Sequence, residues 1–262
     1  MSAFLLNGKI VHYENLGRGR PVIFLHGWVG SWRYWIASMQ AASIGYRAYA
    51  LDFWGYGEST RADDQYSLTG QTDLLNGFLG QMGMGRVALI GHGFGGVVAL
   101  NFAARFPDFV DRVMTIGFPF SVSALNPKMK WAVSTELIDL VVPKEPLYES
   151  ARSDAAKADM SALKTCLNEL DNELLSGLYN QGDRVSLYVH GLQDTLVAPP
   201  QEDQLDRLPA QSHMIHFDGS GHFPMLDQPN RFHRLLIDFL TLESGESPRD
   251  LQLKDEWKRR VR

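Results

Sequence analysis

The sequence has little cysteine, no long apolar run and no excess of positive charge. Its one cysteine, Cys166, excludes an intramolecular disulfide and is typical of a protein from a reducing compartment. No stretch approaches the roughly 20 consecutive apolar residues that a membrane-spanning helix needs. The net charge of -5 at pH 7 argues against binding to nucleic acid. We therefore expect neither a disulfide scaffold, nor a membrane protein, nor a nucleic-acid-binding protein.

The remaining composition is that of an ordinary globular protein. With 262 residues, of which 45% are hydrophobic and 21% are charged, the chain can bury one large α/β core with an inserted subdomain. The start of the chain, residues 1–8, lacks the basic residues and the apolar length of a signal peptide. We expect a soluble, cytoplasmic protein, and the sequence does not indicate its oligomeric state.

Short apolar runs alternate with helical patterns along most of the chain. This alternation predicts a mostly parallel sheet that is covered by helices on both faces. The predicted strands are residues 22–25, 47–51, 87–90, 113–117, 185–189 and 212–217, and Asn7-Gly8 turns a hairpin between 4–6 and 9–14. The predicted helices of the core are residues 32–42, 67–82, 97–106, 200–208 and 230–242, with Ser67 as an N-cap.

The stretch 118–182 interrupts the alternation, because it has helical patterns at 128–142 and 161–178 but no convincing strand. We predict an all-helical insertion there. The α/β core then consists of residues 1–117 and 183–245, and residues 246–262 form a polar C-terminal tail. The charge run from Arg249 to Arg262 favours a solvated tail over a helix that binds a partner.

The stretch from Val87 to Gly96 predicts a buried strand, a very tight turn and then a helix that ends before Pro107. The glycines allow a turn that other residues could not make. The motif Gly91-His92-Gly93-Phe94-Gly95 resembles the nucleophile elbow of the α/β-hydrolase family, Gly-x-Ser-x-Gly. Gly93 stands at the nucleophile position, where it offers no side chain to attack a substrate. An elbow residue is expected to be strained, with a positive φ.

Other segments resemble the same family. His26-Gly27-Trp28 is similar to the turn that contributes a backbone N–H to an oxyanion hole, and residues 52–59 are similar to the family's Asp-x-x-Gly-x-Gly-x-Ser loop. Asp194 and His222 follow the elbow in the order of the family's triad acid and histidine. The resemblance covers roughly residues 11–242. It implies an α/β-hydrolase fold in which the helical insertion is a cap over the substrate pocket.

The resemblance also implies roles for individual residues. Asp194 and His222 would form a surviving catalytic dyad, and the backbone N–H groups of Trp28 and Phe94 would form the oxyanion hole. Aromatic residues would line the substrate pocket, among them Phe118, Phe120 and Phe223. The other histidines have no spacing typical of a metal site, so we expect no metal and no cofactor. The expected partner is a small-molecule substrate or ligand.

Each of these residues also has a purely structural interpretation. Asp194 alone is more often the cap of a loop, and His222 alone is more often a structural histidine. His26 and His92 are interpreted as buried polar groups that stabilise the two turns. The glycines of residues 91–96 also match the Gly-x-Gly-x-x-Gly pattern of a nucleotide-binding loop. That alternative is weak, because no acid follows a second strand at the distance where a ribose would be bound.

The glycine at position 93 leaves three hypotheses for function. Loss of the serine from a comparable triad lowers turnover by about 10⁶-fold, so ordinary serine-esterase activity is not expected. In the favoured hypothesis a water fills the vacated space, and His222 is a general base on that water or on a small, largely apolar ester or other carbonyl substrate. The second hypothesis is a non-catalytic pseudoenzyme that binds a small ligand. The third is an engineered Ser-to-Gly knock-out of a serine carboxylesterase.

Overall fold

The computed structural model describes residues 2–131, 134–182, 184–243 and 246–251. Eight strands form one sheet in the order β1-β2-β4-β3-β5-β6-β7-β8. They are β1 (Ser2–Leu6), β2 (Lys9–Gly17), β3 (Arg20–Leu25), β4 (Tyr46–Leu51), β5 (Val87–His92), β6 (Val110–Ile116), β7 (Val185–Gly191) and β8 (Ser212–Phe217). β2 pairs antiparallel with β1 and β4, and all other neighbours are parallel. The mostly parallel sheet is confirmed.

Helices cover both faces of this sheet. They are α1 (Ile36–Ala42), α2 (Leu68–Gln81), α3 (Phe94–Arg105), α4 (Lys128–Trp131), α5 (Ser134–Val141), α6 (Glu149–Ala155), α7 (Met160–Asn168), α8 (Asn172–Tyr179), α9 (Glu202–Leu205), α10 (Pro224–Asp227) and α11 (Pro229–Leu240). α1 packs against α11, whereas α2 packs against α3. Every residue of β5 is buried, because helices shield the strand from both sides. No helix of the described ranges is long and apolar enough to cross a membrane.

Several predicted boundaries are displaced for local reasons. The helix predicted at 97–106 begins at Phe94, because Gly93 completes the turn on its own. The helix predicted at 32–42 is a 3₁₀ turn over Trp32–Trp35 followed by α1. The predicted N-cap is confirmed, since the Ser67 side chain accepts a hydrogen bond of 3.0 Å from the N–H of Gly70.

The stretch 118–182 contains α4 to α8 and, over its described residues, no strand. Its one β-type contact is an isolated bridge between Leu125 and Val197. The helix predicted at 161–178 is divided into α7 and α8, because Asp171 caps the second helix by accepting a bond of 2.7 Å from the N–H of Leu174. The division into core and cap stays a prediction.

The first residues of the predicted tail are in part packed against the core. Pro248 and Leu251 are buried, and Arg249 donates to the carbonyl of Ser212 on β8 at 3.3 Å, whereas Glu246 and Asp250 are exposed. The expectation of a solvated tail stays a prediction. Residues 252–262, which carry most of the charge run, lie outside the described part of the chain.

The parallel strands place the candidate residues at one edge of the sheet. β3, β5, β6 and β7 all run in the same direction, so the segments that follow them share the carboxyl edge. These segments contain Trp28, Gly93, Gly117 and Asp194. In open α/β sheets this is the edge at which ligands bind.

Candidate active site

The turn between β5 and α3 depends on two glycines. Gly93 has φ +49° and ψ −113°, which confirms the predicted positive φ. At Gly95 a Cβ atom would lie 2.4 Å from the carbonyl oxygen of Leu25 and 2.5 Å from that of His26, so no larger residue fits there. The backbone of α3 can thereby start directly against the end of β3. The strand, tight turn and helix have the arrangement predicted for residues 87–106.

Asp194 and His222 are brought together at the carboxyl edge. Oδ2 of Asp194 lies 2.7 Å from Nδ1 of His222. Oδ1 accepts hydrogen bonds from the backbone N–H groups of Leu196 and Val197 at 2.8 and 2.9 Å. Burial opposes the charge, but the His222 ring and these hydrogen bonds lower the pKa of Asp194. An ionised Asp194 therefore holds the hydrogen of His222 on Nδ1 and leaves Nε2 as an acceptor.

The space beside Gly93 is occupied by the side chain of Trp28. A Cβ atom at position 93 would lie 2.7 Å from Nε1 and 2.8 Å from Cδ1 of the indole. The same point lies 3.5 Å from Nε2 of His222. The indole therefore leaves no room for a side chain on residue 93, and the expectation that a water occupies the space beside it stays a prediction.

A chain of hydrogen bonds joins the turn after β3 to the loop of His222. The N–H of Gly27 donates to the hydroxyl of Tyr34 at 2.6 Å, and that hydroxyl lies 3.0 Å from Nδ1 of His92. Nε2 of His92 lies 2.8 Å from the carbonyl oxygen of His222, which can only accept. His92 thus carries its hydrogen on Nε2 and accepts from Tyr34 on Nδ1. Burial and the nearby His222 hold its pKa well below the ordinary value, so the ring is neutral.

Two other buried polar groups hold the loops around the site. Nε2 of His26 accepts from the N–H of Phe53 at 3.1 Å, and Nδ1 donates to the carbonyl of Gly27 at 3.0 Å. Burial lowers the pKa of His26. Asp52 accepts from the N–H of Trp32 at 2.9 Å and from Nδ1 of His12 at 2.8 Å. The interpretation of His26 and His92 as groups that stabilise turns agrees with these bonds.

The backbone N–H groups of Trp28 and Phe94 are available at the elbow. Phe94 is the first residue of α3, so its N–H has no acceptor within the helix. The N–H of Trp28 has no acceptor among the residues that the structure describes. Donors at a helix N-terminus favour a negatively charged oxygen.

The three predicted pocket aromatics are buried but are not grouped together. Phe223 lies beside the histidines, with ring centroids 5.4 Å from His222 and 4.8 Å from His92. Phe118 and Phe120 instead pack on each other at 5.2 Å and on Tyr188. Phe118 stays connected to the site through its neighbour Gly117, where a Cβ atom would lie 2.9 Å from Cε1 of His222.

Comparison with known proteins agrees with this geometry. A family model described as the alpha/beta hydrolase fold matches residues 20–148. A 2-hydroxy-6-oxo-2,4-heptadienoate hydrolase from Pseudomonas putida is 26% identical, over 91% of this chain and 95% of that protein. A pimeloyl-[acyl-carrier protein] methyl ester esterase from Vibrio cholerae is 24% identical, over 88% of this chain and 98% of that protein. The chain belongs to the α/β-hydrolase fold family.

Solved structures show the same α/β-hydrolase fold. An esterase from Exiguobacterium antarcticum superposes with a TM-score of 0.79, and the match covers 90% of this chain and 97% of that chain. Its sequence identity is 22%, so the likeness concerns the fold alone.

Sequence reasoning missed two side chains of this α/β hydrolase. Tyr34 joins Gly27 to His92, and the indole of Trp28 faces Gly93. Only the backbone of Trp28 was expected to contribute. Tyr34 belongs to no motif and resembles any buried aromatic of an amphipathic turn, whereas Trp28 belongs to the His26-Gly27-Trp28 motif, which concerns its backbone N–H and not its indole. The only available signal was the unusual pairing of a large Trp after His26-Gly27 with a glycine at the elbow.

Proposed function

We propose that this α/β hydrolase uses Asp194 and His222 as a general-base dyad on a small, largely apolar ester or other carbonyl compound, without a covalent intermediate. The observation that carries the proposal is the state of the His222 ring. Its Nδ1 is held by Asp194 at 2.7 Å, and its Nε2 is buried without a hydrogen-bond partner among the described residues. An oriented imidazole with one free nitrogen is the arrangement that a general base requires.

The reaction would begin with a water that enters together with the substrate. His222 Nε2 takes a proton from this water while the water oxygen forms a bond to the carbonyl carbon. The carbonyl oxygen becomes an oxyanion, which the N–H groups of Trp28 and Phe94 stabilise. Asp194 stabilises the imidazolium. When the bond to the leaving group breaks, His222 returns the proton to that group, and both atoms and charge balance.

The named relatives support a carbonyl substrate. One acts on a 2-hydroxy-6-oxo-2,4-heptadienoate and another on a methyl ester, and both are carbonyl compounds. The neighbourhood of the dyad supports apolar character, since Trp28, Phe94 and Phe223 are each at most 1% exposed.

The expected rate is low for an α/β hydrolase. An oxyanion hole and substrate binding alone give roughly 10³–10⁴-fold over water. General acid–base catalysis typically contributes about 10²–10⁴-fold. We therefore expect turnover that is measurable with activated esters and far below that of a serine esterase.

The second candidate is a protein that binds a small apolar ligand and catalyses nothing. The Trp28 indole favours it, because the ring lies too close to Gly93 for the side chain of an attacking serine. The same contact argues against an engineered Ser-to-Gly knock-out, since the Cβ of a serine would lie 2.7 Å from the indole nitrogen.

Turnover of a panel of p-nitrophenyl esters tests the proposal. We expect the protein to hydrolyse at least one short-chain ester, and we expect His222→Ala to lower kcat/KM by at least about 100-fold. The matched control is His233→Ala, which removes a half-buried histidine that is bonded to Ser38. The control should keep its activity. Equal activity of the protein and His222→Ala would contradict the proposed base, and a silent protein would leave the binding function.

A further inference from the structure

Two buried polar atoms without partners lie on either side of Gly93. Nε1 of Trp28 is an N–H donor and Nε2 of His222 is an acceptor, and neither makes a hydrogen bond to any residue that the structure describes. They lie 2.7 and 3.5 Å from the position of a Cβ atom on Gly93. A donor and an acceptor without partners therefore both lie close to the point where a side chain on residue 93 would begin.

Such a pair is costly unless a ligand satisfies it. An unsatisfied buried donor or acceptor costs about 1–3 kcal/mol. A group that only accepts, or only donates, satisfies one of the two atoms. A hydroxyl satisfies both, because its oxygen accepts from the indole N–H while its hydrogen is donated to Nε2 of His222. A ketone or ether oxygen would satisfy Trp28 and leave His222 without a donor.

We propose that the hydroxyl of a small aromatic ligand, a phenol, binds between Trp28 and His222 in place of the absent serine hydroxyl. The phenol oxygen accepts from Trp28 Nε1–H, and its hydrogen is donated to His222 Nε2. Trp28 is thus a catalytic residue through its side chain, in addition to its backbone N–H. The inference rests on the proposed role of His222 as a base, and it names the hydroxyl that this base meets.

The chemistry of the surrounding groups favours an acidic hydroxyl. When His222 takes the proton, the O–H bond breaks, its electron pair stays on the oxygen, and an imidazolium forms beside Asp194. The phenolate then accepts from two donors, the indole N–H and the protonated Nε2. Hydrogen bonds to a charged oxygen are roughly twice as strong as neutral ones. Phenols are more acidic than aliphatic alcohols, so a phenol passes its proton to a histidine more readily.

The same surroundings favour an aromatic ring on that hydroxyl. The ring of Phe94 lies 5.5 Å from the ring of Trp28, and Phe223 lies 5.4 Å from His222. Aromatic rings at such distances stabilise further aromatic rings that pack edge to face against them. A bare anion such as acetate would accept from Trp28 Nε1–H, but it has no hydrogen to donate to His222 Nε2 and gains none of this packing.

Binding of p-nitrophenol tests the inference, because its ionised form absorbs visible light and its neutral form does not. We expect the protein to bind p-nitrophenol at least about 10-fold more tightly than p-nitroanisole, which has a methyl group in place of the hydroxyl hydrogen. We also expect the bound phenol to ionise at a lower pH than the free phenol. Equal affinity for the two ligands overturns the inference, and this comparison needs no variant.

Two tryptophan variants locate the donor. Trp28→Phe keeps a buried ring and loses the N–H, and it should weaken p-nitrophenol binding by about 10- to 100-fold. The matched control is Trp35→Phe, since Trp35 is also fully buried with an unpartnered Nε1 and packs on Phe24. The control should change the affinity by less than about 2-fold. Equal effects of the two variants would show that ring packing, not the Trp28 donor, holds the phenol.

The outcomes separate this inference from the proposed function. If Trp28→Phe binds p-nitrophenol as the protein does while His222→Ala abolishes ester turnover, the inference is wrong and the general base stands. If p-nitrophenol binds through Trp28 but no ester is hydrolysed, the proposed hydrolysis is wrong and the hydroxyl site stands.

Discussion

Position 93 requires glycine for two separate reasons. Its backbone has φ +49°, a conformation that L side chains adopt only at a cost of roughly 1–3 kcal/mol. The indole of Trp28 also lies 2.7 Å from the point where a Cβ atom would be. The first requirement exists in any nucleophile elbow, whereas the second is specific to this chain. The residues around Gly93 are therefore fitted to a glycine and not to a serine.

We expect Gly93→Ser to lower the free energy of unfolding by about 2–4 kcal/mol, from backbone strain together with overpacking. Urea denaturation measures the change. The control is Gly45→Ser, because a Cβ atom at position 45 meets no heavy atom within 4 Å. The control should change stability by less than about 1 kcal/mol.

The double variant separates the two causes. In a Trp28→Leu background the indole is gone, so Gly93→Ser should cost about 1–2 kcal/mol less than it does in the protein itself. Additive costs would show that Trp28 does not press on position 93, and they would contradict the packing described here.

At the residue scale the sequence predicts positions better than it predicts side-chain directions. The positive φ of Gly93 follows from the glycine spacing of the elbow, and it is confirmed. The approach of Asp194 to His222 follows from the family order of the motifs. The direction of the Trp28 indole depends on the backbone conformation of the turn between β3 and the 3₁₀ helix over Trp32–Trp35. No residue pattern in the sequence predicts that conformation.

Helix α6 is held to the core by one buried carboxylate. Asp154 accepts a hydrogen bond from the hydroxyl of Ser31, and it pairs with Arg33 at 3.1 Å and with Lys157 at 3.0 Å. Ser31 and Arg33 belong to the segment that follows β3, three and five residues after Trp28. The 118–182 stretch is thereby tied to the same segment that supplies the candidate oxyanion donor.

We expect Asp154→Ala to destabilise the protein by about 3–5 kcal/mol, because it leaves the hydroxyl and the guanidinium without their buried partner. Relative to the unchanged protein, the variant should show a larger increase in hydrogen-exchange rate at the α6 amides than at the β5 amides. The matched control is Asp139→Ala on α5, whose pairs with Lys144 and Arg152 are exposed to solvent and should therefore contribute little to stability. Similar losses in the two variants would contradict the attachment of α6 through Asp154.

Elements of the sheet are predicted more accurately than the helices between residues 118 and 182. β8 matches its predicted bounds, Ser212–Phe217. The helices of the 118–182 stretch are shorter than predicted. Their ends are set by caps such as Asp171 and by contacts with the core. A periodic apolar pattern indicates neither the caps nor the contacts.

Most histidines of the molecule have a lowered pKa. Burial lowers the pKa of six of the eight in the chain, namely His26, His92, His190, His213, His216 and His233. His12 differs, because its burial is outweighed by the hydrogen bond to Asp52 together with the negative charges of Asp52, Glu58 and Glu14, and its pKa is raised. Between pH 5 and 7 the unfolded chain therefore binds more protons than the folded protein does.

We expect the free energy of unfolding to fall as the pH is lowered from 7.5 to 5. A histidine with a lowered folded pKa contributes stability that is fully present above its unfolded value of 6.5 and is lost as the pH falls below it. His12 opposes this trend, because its contribution is present below pH 6.5 and is lost as the pH rises through its folded pKa. Urea denaturation at constant ionic strength gives the slope, and His233→Gln should make the slope smaller. Stability that rises on acidification would contradict the neutral buried histidines.

The fold as a whole is the part that the sequence predicts most completely. Alternating strand and helix patterns require a parallel sheet, and a parallel sheet collects the loops that follow its strands at one edge. Trp28, Gly93 and Asp194 therefore share that edge. The sequence does not predict the distances between these loops. The close approach of the Trp28 indole to Gly93 depends on differences of a few tenths of an ångström in such distances.

Ester turnover by the protein beside Gly93→Ser tests the central claim most directly. If Asp194 and His222 act as a base without a serine, the protein hydrolyses a p-nitrophenyl ester and Gly93→Ser brings no gain, because the serine is pressed against the Trp28 indole. A silent protein that becomes active in Gly93→Ser would contradict the account. That result would show a serine esterase site that lacks only its nucleophile.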